Sequence, residues 1–170
     1  QAGMTVLAPL ITGFGSSVKV ANHYDLSSWQ KVLDAHYKAL SKCFPKISLM
    51  GFSLGGALST EFTLTRYADY LHLGYAQLSS LVLLSPAIKP AEKFVWLKAR
   101  TTLLFTDEVP FSVISRLKND PEIQEMMKDP ENYNQSFPVY VGVNLKRLSE
   151  TLEDLAHLRF HEHELPVSLD

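Results

Sequence analysis

In the first half of the chain, short unbroken apolar runs alternate with segments whose apolar positions recur every three to four residues. Thr5 to Ile11 is the first run, rich in β-formers, and it ends in a turn cluster, Thr12-Gly13-Phe14-Gly15-Ser16-Ser17. A polar loop extends to about Ser28. The stretch SSWQKVLDAHYKALSK then sets Trp29, Val32, Leu33, Tyr37 and Leu40 on one helical face. Ser27 or Ser28 can cap that helix, and Pro45 stops it from continuing. Ile47 to Met50 is a second run. Gly55 to about Tyr70 reads as a helix with Ala57, Leu58, Phe62 and Leu64 available for packing. Leu81 to Leu84 is a third run, ended by Ser85-Pro86.

The order is strand, helix, strand, helix, strand. The runs are continuously apolar rather than alternating, as in parallel strands covered on both faces, so the expected class is α/β. From Pro86 to Leu165 the texture becomes mostly helical, with Pro110, Pro121, Pro130 and Pro138 as breaks. The strand pattern resumes at Pro166. The expected organisation is a partial core over residues 1–89, a helical insertion over 90–164 and the start of another core strand over 165–170. Both ends fall within apparent strands, so the chain reads as an interior piece of a longer protein.

Composition narrows this picture little. The 170 residues are 46% hydrophobic and 20% charged, as expected of a single globular domain. A formal charge of −2 gives no electrostatic reason to expect a nucleic-acid partner. No apolar run approaches the roughly 20 residues of a membrane helix. The lone cysteine, Cys43, excludes an internal disulfide; it fits a cytoplasmic, reducing compartment and is compatible with export too.

Chemistry is concentrated in ISLMGFSLGGALS, residues 47–59, which contains G-x-S-x-G from Gly51 to Gly55. That pattern arises by chance in about one chain in twenty of this length. Its context is what gives it weight: an apolar strand before it and a helix after it. A sharp turn there holds Ser53 in strained backbone and lifts its hydroxyl clear of the sheet. Side chains on either side would clash with strand and helix, which calls for Gly51 and Gly55, and Gly56 allows still closer packing. The helix start directs unpaired N–H groups at the same spot, with the Leu54 N–H as one donor to an oxyanion. The competing reading is a Gly-Ser turn with no chemistry.

The segments VLAPLITGFGSS, SSWQKVLDAHYKALSKCFPKISLMGFSLGGALS and LSSLVLLSPAIKP together resemble the middle of an α/β-hydrolase. The nearest subgroup in character is the carboxylesterases and monoacylglycerol-lipase-like serine hydrolases. The likeness runs from about Met4 to Lys89, with Phe14 in the Gly13-Phe14-Gly15 turn where the family more often has His. It implies a three-layer α/β-hydrolase core with a mostly parallel sheet. This chain would supply about strands four to six, a helical cap and the start of strand seven. It also implies a nucleophile at Ser53 on a nucleophile elbow, no metal or organic cofactor, and a small-molecule ester as substrate.

A serine nucleophile needs a base and an orienting acid. In this family they follow in the order Ser, acid, His, which places both beyond Asp170. An internal alternative reads Asp107 as an acid after the run TTLLF, with His157, His161 or His163 as base. The blander reading makes Asp107 part of a cap loop and the three histidines a solvated helix edge that ends near Arg159. His36 reads as a packing histidine, and nothing near Cys43 marks it as a reactive thiolate. Phe94, Trp96, Leu97 and Phe105 read equally as acyl-pocket lining or as cap core. The expected function is hydrolysis of carboxylic esters through a Ser53 acyl-enzyme, with little turnover from residues 1–170 alone. The alternative is a non-catalytic binding or scaffold protein that retains the fold.

Overall fold

The computed structural model of the chain describes residues 3–88, 108–110, 121–126, 128 and 136–162. In chain order the elements are α1 (Val18–Ala21), α2 (Leu26–Ser41), β1 (Lys46–Phe52), α3 (Leu54–Thr65), α4 (Tyr67–His72) and β2 (Gln77–Leu84). They are followed by β3 (Glu108–Pro110), α5 (Pro121–Met126), β4 (Ser136–Pro138) and α6 (Val139–Glu162). The chain divides into two compact units, Gln1–Val32 with Ala91–Leu145, and Leu33–Pro90 with Lys146–Asp170.

The second unit holds the parallel pair. β1 and β2 run side by side from Lys46 opposite Gln77 to Phe52 opposite Leu84, joined through α3 and α4. A parallel pair needs such a crossover, and helices supply it here. Ser79 is an extra residue in β2, because Ile47 faces Leu78 and Ser48 faces Ser80. On the inner face, Ile47 packs in a cluster with Tyr37, Phe62, Tyr70 and Ala76, against which Leu33, Leu40, Leu49 and Leu78 also pack. The Tyr37 and Phe62 rings lie 4.8 Å apart and tilted, and Phe62 meets Tyr70 edge-on at 5.5 Å. Both are favourable aromatic geometries. The Tyr37 hydroxyl donates to the Ala76 carbonyl at 2.7 Å, and desolvation in this cluster pushes its pKa up to about 12. Arg66, between α3 and α4, binds Asp34 of α2 at 3.0 Å and the buried Glu61 at 2.6 Å.

The strands were expected to be covered on both faces, and among the described residues one face is buried. Burial alternates along β1, and the outward residues Met50 and Phe52 are each 70% exposed beside Val82 and Leu84. Among the described residues nothing packs on that face.

In the first unit, Trp29 is fully buried and its indole N–H donates to the Thr12 carbonyl at 3.1 Å. The Phe14 ring lies 5.8 Å from it. The buried Asn144 of α6 donates from Nδ2 to the Tyr24 carbonyl at 2.9 Å. β3 and β4 form a short antiparallel pair that the sequence pattern did not reveal.

Several boundaries move. Thr5–Ile11 is not a strand: no described segment pairs with it, and Met4, Val6 and Leu10 are largely exposed. An apolar run becomes a strand only where a neighbour takes up its N–H and C=O groups. α2 starts at Leu26, and Asp25 rather than a serine caps it. The Asp25 carboxylate accepts from the Ser28 N–H and from the Ser27 and Ser28 hydroxyls. The Ser28 hydroxyl, then the Ser28 N–H, hold the Asp25 pKa down at about 2. The cap is fully charged above the ordinary value of 3.8 and is lost as pH falls through about 2. The expected helix to Tyr70 breaks at Arg66, whose φ of −115° ends α3. Pro121 opens α5 at its first position, where a missing N–H costs nothing. α6 runs on past Arg159 to Glu162.

Candidate active site

β1 delivers Ser53 and α3 begins at the next residue, so the chain must reverse direction within one residue. Ser53 does this with φ 49° and ψ −114°, a region that side-chain-bearing residues avoid at a cost of roughly 1–3 kcal/mol. Three hydrogen bonds hold it there. Its N–H donates to the Leu84 carbonyl at 3.0 Å. Its carbonyl accepts from the Ala57 N–H at 3.2 Å and from the Ala87 N–H at 2.9 Å. The backbone of Ser53 is thus tied on both sides, whereas its half-buried hydroxyl makes no hydrogen bond among the described residues.

The bond from Ala57 to Ser53 is the first of the helical ladder. The N–H groups of Leu54, Gly55 and Gly56 precede it and have no partner among the described residues. They lie at the positive end of a twelve-residue helix. The turn therefore joins a free hydroxyl to a group of free amide donors.

Gly51 and Gly56 make the turn sterically feasible. A Cβ on Gly51 would lie 2.5 Å from the Gly55 carbonyl carbon and 2.5 Å from the Gly56 nitrogen. A Cβ on Gly56 would lie 2.8 Å from Pro86 Cβ and 3.0 Å from Pro86 Cα. For Gly55 the described residues supply no steric reason. Among the described residues a Cβ there meets nothing within 4 Å. The tight contact belongs to the next glycine, and its partner is Pro86.

His157 is exposed on α6, and His161 lies one turn further along the same helix. Asp107, His163, Pro166 and Asp170 lie outside the described residues, as do Phe94, Trp96, Leu97 and Phe105. His36 is half-buried and Cys43 is exposed in the loop before β1. Among the described residues no group of His, Cys, Asp and Glu is placed to hold a metal ion. No described helix is long and apolar enough to cross a membrane.

Sequence reasoning missed one residue at this turn. Ser85, at the exit of β2, also has a positive φ, 43°. Nothing local announces it, since the Ser85-Pro86 pair reads as an ordinary strand end.

No curated protein matches the chain. A family model described as serine aminopeptidase, S33, matches residues 1–166. That span covers nearly all of the chain, and the helices and parallel strands described above are consistent with it. The chain therefore belongs to this serine aminopeptidase family of α/β-hydrolases.

Proposed function

We propose that the protein is a serine hydrolase that cleaves carboxylic esters of small molecules through an acyl-enzyme on Ser53. The observation that carries this reading is the Ser53 turn: a strained residue, fixed through its backbone, with its hydroxyl free beside unpaired amides. A turn that served only to connect strand to helix would not need a side-chain-bearing residue at φ 49°, because glycine adopts that conformation freely.

In the proposed reaction the Ser53 oxygen adds to the ester carbonyl and its proton passes to a general base. The carbonyl oxygen becomes an oxyanion that accepts from the Leu54 N–H, an interaction strongest in the transition state. The alcohol leaves with the proton, and water then releases the acid by the same steps in reverse. The base and its orienting acid are proposed to come from residues outside 1–170, and residues 90–164 to form a cap. No metal or organic cofactor takes part in these steps.

The family description names aminopeptidases, and peptide amides use the same kind of nucleophile. Esters are favoured here by the likeness of residues 4–89 to carboxylesterases. The test is steady-state hydrolysis of p-nitrophenyl esters and of amino-acid p-nitroanilides by the full-length protein and its Ser53→Ala variant. Ester turnover that disappears in the variant supports the proposal. Anilide turnover above ester turnover moves the substrate class to peptides. No turnover of either, with tight binding of a small molecule, favours a binding protein.

A further inference from the structure

Ser53 and Ser85 stand one residue beyond the last paired positions of β1 and β2, Phe52 and Leu84. Both have positive φ, 49° and 43°, and they are the only non-glycine residues with positive φ among those described. Ser85 is doubly unusual, since a residue before proline normally keeps an extended backbone with negative φ. It is exposed, and its side chain makes no hydrogen bond among the described residues. Among the described residues no hydrogen bond of its own explains the strained conformation.

The residues on either side of it do. Leu84, just before, accepts the Ser53 N–H at 3.0 Å. Pro86, just after, packs on Gly56 so closely that a Cβ there would lie 2.8 Å from it. Ala87 donates its N–H to the Ser53 carbonyl at 2.9 Å. Thus Leu84 and Ala87 hold the two backbone groups of Ser53, and Pro86 presses on the first turn of α3. The bend at Ser85 allows three nearly consecutive residues to reach one turn in a neighbouring segment.

We propose that Ser85 is a positioning residue: its left-handed backbone shapes the β2 exit into a clamp that fixes Ser53 and the α3 amides for reaction. The proposal rests on the reading of Ser53 as nucleophile and adds a requirement that this reading does not contain. What matters at Ser85 is the backbone angle and not the hydroxyl. Glycine adopts positive φ readily and lacks the hydroxyl, whereas threonine keeps the hydroxyl and, being β-branched, resists positive φ.

The test compares full-length wild type, Ser85→Gly, Ser85→Thr and Ser53→Ala. Each is measured for the rate of fluorophosphonate labelling per folded molecule, for kcat and KM on a p-nitrophenyl ester, and for amide hydrogen exchange at Ser53. Ser85→Thr is expected to label and turn over about tenfold more slowly, because small displacements of a reacting group carry large rate penalties. Its KM should stay close to wild type, and the Ser53 amide should exchange faster. Ser85→Gly should stay within about threefold of wild type in rate, since the bend is preserved. If the threonine variant does not fold, Ser85→Ala replaces it, and alanine is expected to be slower than glycine. A glycine variant as slow as the threonine variant, or slower, would mean that the backbone angle is not what matters at Ser85 and would overturn the proposal. A folded threonine variant with wild-type rate and exchange would overturn it too. Labelling of Ser53→Ala at the wild-type rate would remove the nucleophile reading and the clamp with it. A silent Ser53→Ala beside a fast Ser85→Thr would remove the clamp alone.

Discussion

The two parallel strands leave the sheet side by side through turns that share a residue type and a backbone strain yet differ in their surroundings. After β1, Ser53 runs directly into α3, two glycines admit close packing, and three amides have no partner among the described residues. After β2, Ser85 leads into Pro86, which has no N–H, and no helix follows at once. Positive φ at a serine is therefore not itself a mark of chemistry. What distinguishes Ser53 is a backbone tied on both sides and a place at the start of a helix. The second turn has the strain without the donors, and its contacts are directed at the first.

Substitutions that act on one turn or on both sharpen this contrast. The largest stability effect is expected from Gly51→Ala. Its new Cβ would overlap backbone atoms of Gly55 and Gly56, which cannot rotate away, so a loss of about 3 kcal/mol is expected in chemical denaturation. A loss below about 1 kcal/mol would mean that the turn is looser than described.

Gly56→Ala tests the link between the turns, because its obstacle is Pro86. A loss of roughly 1–3 kcal/mol is expected. The double variant with Pro86→Ala should recover part of it, read as a non-additive coupling in a double-mutant cycle. Strict additivity would break the link.

Ser53→Gly and Ser85→Gly relieve the same strain. Each is expected to be neutral or stabilising by up to about 1 kcal/mol in thermal unfolding, the relief offset by extra freedom in the unfolded chain. The comparison predicts that they part in activity, with Ser53→Gly inactive and Ser85→Gly active.

The smallest effect belongs to Gly55→Ala. With nothing within 4 Å and a helical position, alanine is expected to stabilise by about 0.4–1 kcal/mol. A clear destabilisation would restore the steric role that the motif assigns to this glycine.

Much of the Ser53 turn was legible because its signals are local. An apolar run, a small-residue turn and a helix-forming segment lie within nineteen residues, Ile47–Thr65. What was not legible depends on partners distant in sequence. Gly55 and Gly56 are neighbours, and only Pro86, thirty residues on, tells them apart. Leu84 and Ala87, which hold Ser53, come from that same exit. Thr5–Ile11 has the composition of a strand, and no property of its own residues says whether a neighbour pairs with it. The break at Arg66 accompanies ion pairs to Asp34 and Glu61, the first on another helix. Short elements such as α1 and the β3–β4 pair carry too few residues for a period to show.

In the proposed reaction the hydroxyl at position 53 attacks an acyl carbon. The measurement that reaches it most directly is peptide-level mass spectrometry of the full-length protein after a brief reaction with a fluorophosphonate. One phosphonyl adduct is expected, on the peptide holding Ser53, and none in the Ser53→Ala protein. An adduct on another residue, or an unmodified Ser53 in a protein that hydrolyses esters, would contradict it.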